Sequence, residues 1–261
     1  MATLVCFHAH PDDECIATGG VMAKAKADGH RVVLVVATRG EHGEVEDGFL
    51  DADEVLADRR EIETLAAAEI LGVDRVEFLG YVGSGMMDTP ENDLPGSFWS
   101  ADVEEAAARL AKILSEEQAD VFTCYDEIGG YGHPDHIQVH RVGLRAAELA
   151  GTPKVFQSTI NRDALIRQMT ASRAQIEEAG FEVPDFTASE GFGMPESVIT
   201  CAVDVRAFVV QKREAMKAHA SQISDTHFML TMPDPAFEEA FGTEWFIRTG
   251  QGPGITEDAL I

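Results

Sequence analysis

Lysine and arginine are scarce in this chain: 20 of them stand against 46 aspartates and glutamates in 261 residues, a formal net charge of -26. Binding a phosphate backbone requires clustered cations that displace counterions, so this balance argues against a nucleic-acid partner. Cysteine is sparse as well. Cys6, Cys15, Cys124 and Cys201 lie far apart, and no Cys-x-x-Cys pair suggests a zinc ribbon or a redox couple. Reduced thiols in a cytoplasm are therefore expected. No apolar run approaches the length of a membrane span, and in "MATLVCFHAHPDDE" charge follows the first run within a few residues, so neither a span nor export is expected. Internal repeats and low-complexity linkers are missing. So is a Gly-x-Gly-x-x-Gly fingerprint after the first apolar run, which counts against a non-catalytic Rossmann-like binding module.

What is present is 45% hydrophobic residues, enough for a core that needs no staples. Short β-rich runs alternate with alanine-rich amphipathic segments: "TLVCF" then 16–28, "RVVLVVAT" then 52–71, "RVEFLG" then 101–117, "DVFTCY" then 134–150, "KVFQST" then 162–180. Such alternation predicts an α/β, Rossmann-like fold, a mostly parallel sheet with helices on both faces. Loops are expected at 82–100 and 182–196, a strand in "SVITCAVDV", a helix over 206–220, and loops and short elements from 224 to a mobile "TGQGPGITEDALI". The chain reads as one domain, a core over 1–160 and a C-terminal, substrate-shaping extension over 161–261.

Open α/β sheets bind ligands beyond the carboxyl ends of their strands. Four charged or glycine-rich segments fall there: "CFHAHPDDE", "TRGEHGE", "GYVGSG" and "YDEIGGYGHPDH". The first projects His10, Asp12 and Asp13 from a strand end, with Pro11 stiffening the turn. Asp12 or Asp13 at that place suits a helix N-cap, with Glu14 in the first turn. Capping does not account for three acids beside histidine, whose mutual repulsion invites a cation. In "GGYGHPDHIQVH", Pro134 suits the first helical position, with His133 at the cap and His136 three residues on, while His140 reads as a core or supporting histidine. Together the two His-Pro-Asp repeats offer two imidazoles and a carboxylate to one metal, with positions left for water and substrate.

The "AHPDDE" at 9–14 and "GHPDH" at 132–136 resemble the paired motifs of the PIG-L/LmbE family of zinc-dependent N-deacetylases, and the likeness runs through nearly the whole chain. "TRGEHGE", "RREIETLAAAEILGV" and "KREAMKAHASQ" support it. Within the family the chain is similar to the branch containing the mycothiol biosynthetic deacetylase and the mycothiol conjugate amidase. The resemblance implies that His10, Asp13 and His136 bind zinc, with iron or another divalent ion as the alternative. It further implies Asp12 as general base, His133 as a cationic partner for the oxyanion or the leaving amine, Asp135 holding the His133 ring, and Tyr131 facing the substrate carbonyl. Arg39, Glu41 and Arg60 are expected to bind the sugar, although Arg60 and Glu63 also fit an i, i+3 surface pair. Gly83 departs from the family pattern, which carries an aspartate there that contacts the sugar.

The implied activity is a metal-dependent amidohydrolase that removes acetyl from an N-acetylglucosamine-type sugar such as N-acetylglucosaminyl-inositol. The alternative is an amidase for a larger amide, such as a mycothiol S-conjugate or an acylated secondary metabolite. The expected partner is a small amino sugar or amide, and a homo-oligomer is compatible with it.

Overall fold

The computed structural model describes residues 1–171, 173 and 191–261; the end of the helix expected over 162–180 and most of the loop expected over 182–196 lie outside them. Five parallel strands, β1 (Thr3–His8), β2 (Arg31–Thr38), β3 (Arg75–Tyr81), β4 (Val121–Tyr125) and β5 (Lys154–Thr159), stand in the order β3-β2-β1-β4-β5. Two more, β6 (Cys201–Asp204) and β7 (Thr243–Arg248), extend the sheet antiparallel as β5-β7-β6. β1 and β2 are almost wholly buried, which is why they read as unbroken apolar runs.

Alternate residues of β1 feed two cores. Leu4 and Cys6 pack with α1 (Asp13–Ala17), α2 (Gly19–Ala27), α3 (Leu56–Leu71) and, from the C-terminal part, Val209 and Ala215. Val5 and Phe7 pack with α4 (Val103–Glu116) and α5 (Pro134–Ala150) on the opposite face. After α6 (Arg162–Ala171), the helix α7 (Val209–Ala218) returns the chain to the first face beside α3.

Three boundaries differ from the sequence reading. The helix expected over 16–28 is two, because Thr18 at φ -137° leaves the helical region. The helix over 206–220 opens as a 3-10 turn, Arg206–Phe208. The region after 224 holds β7, whose Glu244 is buried and accepts N–H groups of Gly20 (2.7 Å) and Val21 (2.8 Å) and the Lys212 ammonium (2.6 Å). The final segment is tied down as well. Thr256 and Glu257 N–H donate to Thr200 O at 2.9 and 3.1 Å, Ala202 N–H donates to Glu257 O at 3.0 Å, and Leu260 is buried. Its glycines suggested mobility, but pairing against β6 supplies partners for the backbone.

Strand order reverses between β1 and β4, so a crevice opens beyond their carboxyl ends, where both His-Pro-Asp segments emerge.

Candidate active site

Only four residues join β1 to α1, and they carry a sharp turn. Asp12, at the helix cap, sits at φ 88° and makes no side-chain capping bond, so the capping explanation of this acid fails. A left-handed conformation costs a non-glycine residue roughly 1–3 kcal/mol and persists only where its surroundings enforce it. Here the Asp12 N–H donates to Glu14 Oε2 at 2.9 Å, the Cys15 thiol donates to Asp12 O at 2.9 Å, and Arg60 Nη2 donates to Pro11 O at 2.6 Å and lies 3.3 Å from Asp12 Oδ2. The result turns the Asp12 carboxylate outward beside Asp13.

The second segment is built by Asp126, whose Oδ1 accepts the Ile128 and Gly130 N–H groups at 3.1 and 2.9 Å and whose Oδ2 accepts the Thr159 hydroxyl at 2.6 Å. Gly129, at φ 63°, lies so close to α5 that a Cβ there would stand 2.5 Å from His136 Cβ. Pro134 opens α5, and the His133 cap accepts the Asp135 N–H on Nδ1 at 3.1 Å.

These two turns bring together His10, Asp13 and His136. Asp13 Oδ2 is 3.4 Å from His10 Nδ1 and 3.3 Å from His136 Nε2. Metal–nitrogen and metal–oxygen bonds of about 2.0–2.2 Å in a tetrahedron put ligand atoms about 3.4 Å apart, so these two separations suit a small divalent cation. The tautomers suit it too. His136 Nδ1 donates to Gly129 O at 3.2 Å, which leaves Nε2 as a lone-pair donor, buried and without a hydrogen-bond partner among the described residues. His10 Nε2 donates to Asp135 Oδ2 at 2.9 Å, which frees Nδ1 toward Asp13. One ring nitrogen from each of His10, His133 and His136 lies within 4.8 Å of the other two.

Electrostatics favour positive charge at this point. Burial opposes a charged His10, but hydrogen bonds and charge from Asp13 and Asp135 outweigh it and lift its pKa to about 10. Burial would raise Asp13, yet the imidazoles of His136 and His10 hold it well below the usual carboxylate range. A metal ion would satisfy the same field by displacing the proton. Asp12 differs: burial dominates, Arg60 only partly offsets it, and the pKa rises to about 6. For His133, burial and the neighbouring His10 and His136 push the pKa down to about 3.

Three expectations are corrected here. The Asp135 carboxylate does not hold the His133 ring; it accepts His10 Nε2 and the Ser84 N–H (2.8 Å) on Oδ2 and the Ser84 hydroxyl on Oδ1, and only its backbone N–H reaches His133. The His133 ring accepts that N–H on Nδ1, which leaves Nε2 to carry a proton. Arg60 does not face a sugar. It is buried, its two terminal nitrogens are taken by Gly40 O (2.9 Å), Pro11 O and Asp12, and Glu63 is no surface partner but a buried acceptor for Ser221 N–H (2.9 Å) and hydroxyl (2.7 Å). Arg39 lies on the exposed rim 2.9 Å from Asp58, and Glu41 Oε2 accepts the Gly83 N–H at 2.9 Å. Tyr131 stands half-exposed at the mouth, its ring centroid 4.9 Å from that of His136 and 6.2 Å from that of His133. His140 supports from behind, with Nδ1 3.0 Å from Tyr125 O.

The family model for GlcNAc-PI de-N-acetylases, PIG-L, matches residues 5–147. A 1D-myo-inositol 2-acetamido-2-deoxy-alpha-D-glucopyranoside deacetylase from Catenulispora acidiphila is 42% identical over 243 residues, covering 85% of this chain and 75% of the relative. The enzyme of that name from Acidothermus cellulolyticus is 41% identical over 256 residues, covering 94% and 88%. The chain belongs to the PIG-L family. It is an N-deacetylase of that family. The N,N'-diacetylchitobiose deacetylase of Pyrococcus horikoshii shares the fold at 22% identity and a TM-score of 0.56 over 95% of this chain and 83% of that one. A 4-carboxy-2-hydroxymuconate hydratase from Pseudomonas putida shares it at 18% identity, a TM-score of 0.57 and 99% coverage of each chain, so the fold alone does not choose the chemistry.

Sequence reasoning missed several residues of this PIG-L site. Ser84 bonds both Asp135 oxygens, accepts the Trp99 N–H at 2.9 Å and meets Ser97 Oγ at 2.8 Å, so the loop after β3 is fastened to the carboxylate that orients His10. His8 bridges Tyr125 OH (2.7 Å) and Thr18 Oγ1 (2.8 Å), while Tyr125 stacks on His136 at 4.7 Å. His219 pairs with Glu14. His8 and Ser84 stand inside segments already singled out, and only a pairing between distant residues separates them from ordinary polar side chains.

Proposed function

We propose that this chain hydrolyses the acetamide of 1D-myo-inositol 2-acetamido-2-deoxy-α-D-glucopyranoside, an N-acetylglucosamine joined to inositol, using zinc held by His10, Asp13 and His136. The observation that carries the metal is the buried His136 Nε2, without a hydrogen-bond partner among the described residues and 3.3 Å from Asp13 Oδ2, beside His10. The relatives' names, from chains about 40% identical over most of their length, support the sugar. Zinc in this donor set would polarise the amide carbonyl and lower the pKa of a water to about 7.

The protein's own groups do the rest. The Asp12 carboxylate, its pKa lifted to about 6 by burial, takes a proton from the water as it attacks the amide carbon. The neutral His133 donates Nε2–H to the carbonyl oxygen as negative charge grows there, and the Tyr131 hydroxyl at the mouth supplies a second donor. When the C–N bond breaks, the carboxylic acid form of Asp12 returns that proton to the departing amine, so one residue serves both transfers and acetate and a free amino sugar result. On the rim, Glu41 and Arg39 bind sugar hydroxyls. Glu41 lies beside the departure at Gly83, whose N–H donates to Glu41 Oε2 at 2.9 Å. The 161–261 extension shapes the substrate side, and four free, buried cysteines support a reducing, cytoplasmic setting. Among the described residues no helix is long and apolar enough to cross a membrane.

Acetate release from N-acetylglucosaminyl-inositol and from N-acetylglucosamine, by the zinc-loaded chain and by Asp12→Ala, tests the reading. Release from the inositol sugar that Asp12→Ala abolishes while zinc stays bound is the expected result. Zinc without release from either sugar would overturn the substrate assignment.

A further inference from the structure

Asp12 holds an unfavourable backbone conformation, and the residue that enforces it is itself enforced from far along the chain. Glu14 accepts the Asp12 N–H on Oε2, and its other oxygen, Oε1, lies 2.6 Å from His219 Nε2. Both side chains are fully buried. A carboxylate placed there without a partner would be costly, and it would seek other donors or reorient. His219 stands at the end of α7, 205 residues away in sequence, and Nε2 to Glu14 is the one hydrogen bond of its ring among the described residues, Nδ1 being buried without a partner. The same short segment secures the neighbouring supports: Ser221 bonds Glu63 on α3 through N–H and hydroxyl, and Gln222 Nε2 donates to Glu44 O at 3.0 Å. Arg60, one turn before Glu63 on α3, restrains the Asp12 side chain. The turn at Asp12 is thus gripped by its backbone through Glu14 and His219 and by its carboxylate through Arg60.

We propose that His219 is a positioning residue for the general base: by clamping Glu14, it fixes the left-handed turn that aims the Asp12 carboxylate at the reacting amide. This rests on Asp12 being the base. It assigns the C-terminal part a task in the reaction without contact to substrate or metal. Misplacing a reacting group by about 1 Å costs about 100-fold in rate, and loss of the clamp is expected to show as that loss in kcat, with KM and zinc content unchanged.

The experiment compares His219→Phe and His219→Gln, each in the native and the Asp12→Asn background, using the full zinc-loaded chain and acetate release from N-acetylglucosaminyl-inositol. His219→Phe should lower kcat about 100-fold. His219→Gln, whose amide can still donate to Glu14, should restore part of it. In the Asp12→Asn background His219→Phe should cost almost nothing more, because the group it positions is already disabled. An unchanged kcat, a loss confined to KM, or a full additional loss in the Asp12→Asn background would each overturn the proposal. A crystal structure of the His219→Phe protein reads the claim without turnover: Asp12 should leave the region near φ 88°, and Asp12 retained there with its carboxylate in place refutes it. If the native chain releases no acetate from this sugar, the substrate reading fails while that structure still decides the clamp. If His219→Phe does not fold, Glu14→Gln, which removes the carboxylate that His219 grips, carries the same readouts.

Discussion

Replacing Asp135 by asparagine isolates what its negative charge does for the metal. The carboxylate is fully buried and takes three donors: His10 Nε2 and Ser84 N–H on Oδ2, the Ser84 hydroxyl on Oδ1. An asparagine oxygen at the Oδ2 position keeps the first two, and the amide nitrogen can donate to a rotated Ser84 hydroxyl. What disappears is the charge that makes His10 a better ligand. Loss of such an outer carboxylate costs about 10–100-fold in metal affinity, or about 1.4–2.8 kcal/mol. Competition for zinc against a chromogenic chelator at neutral pH measures it directly. Asp135→Ala is the contrasting variant: it leaves the buried Ser84 N–H without its acceptor, at about 1–3 kcal/mol, and lowers Tm by roughly 2–4 °C for each kcal/mol. A zinc Kd in Asp135→Asn within twofold of the native value would refute the idea that Asp135 acts on the metal through His10.

Three further outcomes are expected. With the folded pKa of Asp12 raised to about 6 by burial, the base is ionised only above that value, so kcat/KM should climb as pH rises through about 6; a flat profile from pH 4.5 to 7.5 would contradict its role. Glu117, hydrogen-bonded by Arg31 and Arg75, has its pKa depressed from 4.5 to about 2, so its contribution to stability is complete above pH 4.5 and is lost as pH falls toward 2. Urea unfolding of Glu117→Gln should accordingly show a shallower loss across that window than the native chain. Stripping metal with a chelator should abolish acetate release and lower Tm, and adding zinc back should restore both, since a ligand of the folded state alone stabilises it by mass action; a chelated protein with full activity would dismiss the metal.

How much of this was legible depended on whether the signal was local. β1 and β2 are buried on both faces and read as continuous apolar runs, and Pro134 and Gly151 bracket α5 in plain view. β7 escaped because "TEWFIR" lies beside the short helices of the tail, and its place is set by hydrogen bonds to β5 and β6 that no local pattern announces. The two His-Pro-Asp segments announced the site for a similar reason: each carries its side chains within five residues. Their division of labour was not local. Whether Asp135 turns to His133 or to His10 depends on Ser84, 51 positions away, and whether Arg60 meets a sugar or the Pro11 and Gly40 carbonyls depends on how α3 packs. Burial pushes the His133 pKa down, and a sequence shows burial only as an average.

The family match ends at residue 147, and every side chain proposed to touch the reacting atoms or the metal lies before that point. Within the four-residue link and the start of α1, the Asp12 carbonyl accepts the Cys15 and Ile16 N–H groups and the His10 N–H donates to Asp13 Oδ2, and neither contact reaches the N–H or carboxylate of Asp12, which is held at φ 88°. The constraint has to be imported. It comes along two routes that converge on one turn, Arg60 from α3 and His219 through Glu14 from the end of α7, while Glu244 of β7 fastens α2 directly behind. A strained catalytic residue survives only where more contacts hold it than a relaxed one would need. On that logic β7 and the helix α7 do more than complete the fold, since they supply the support against which Asp12, the proposed base, is aimed.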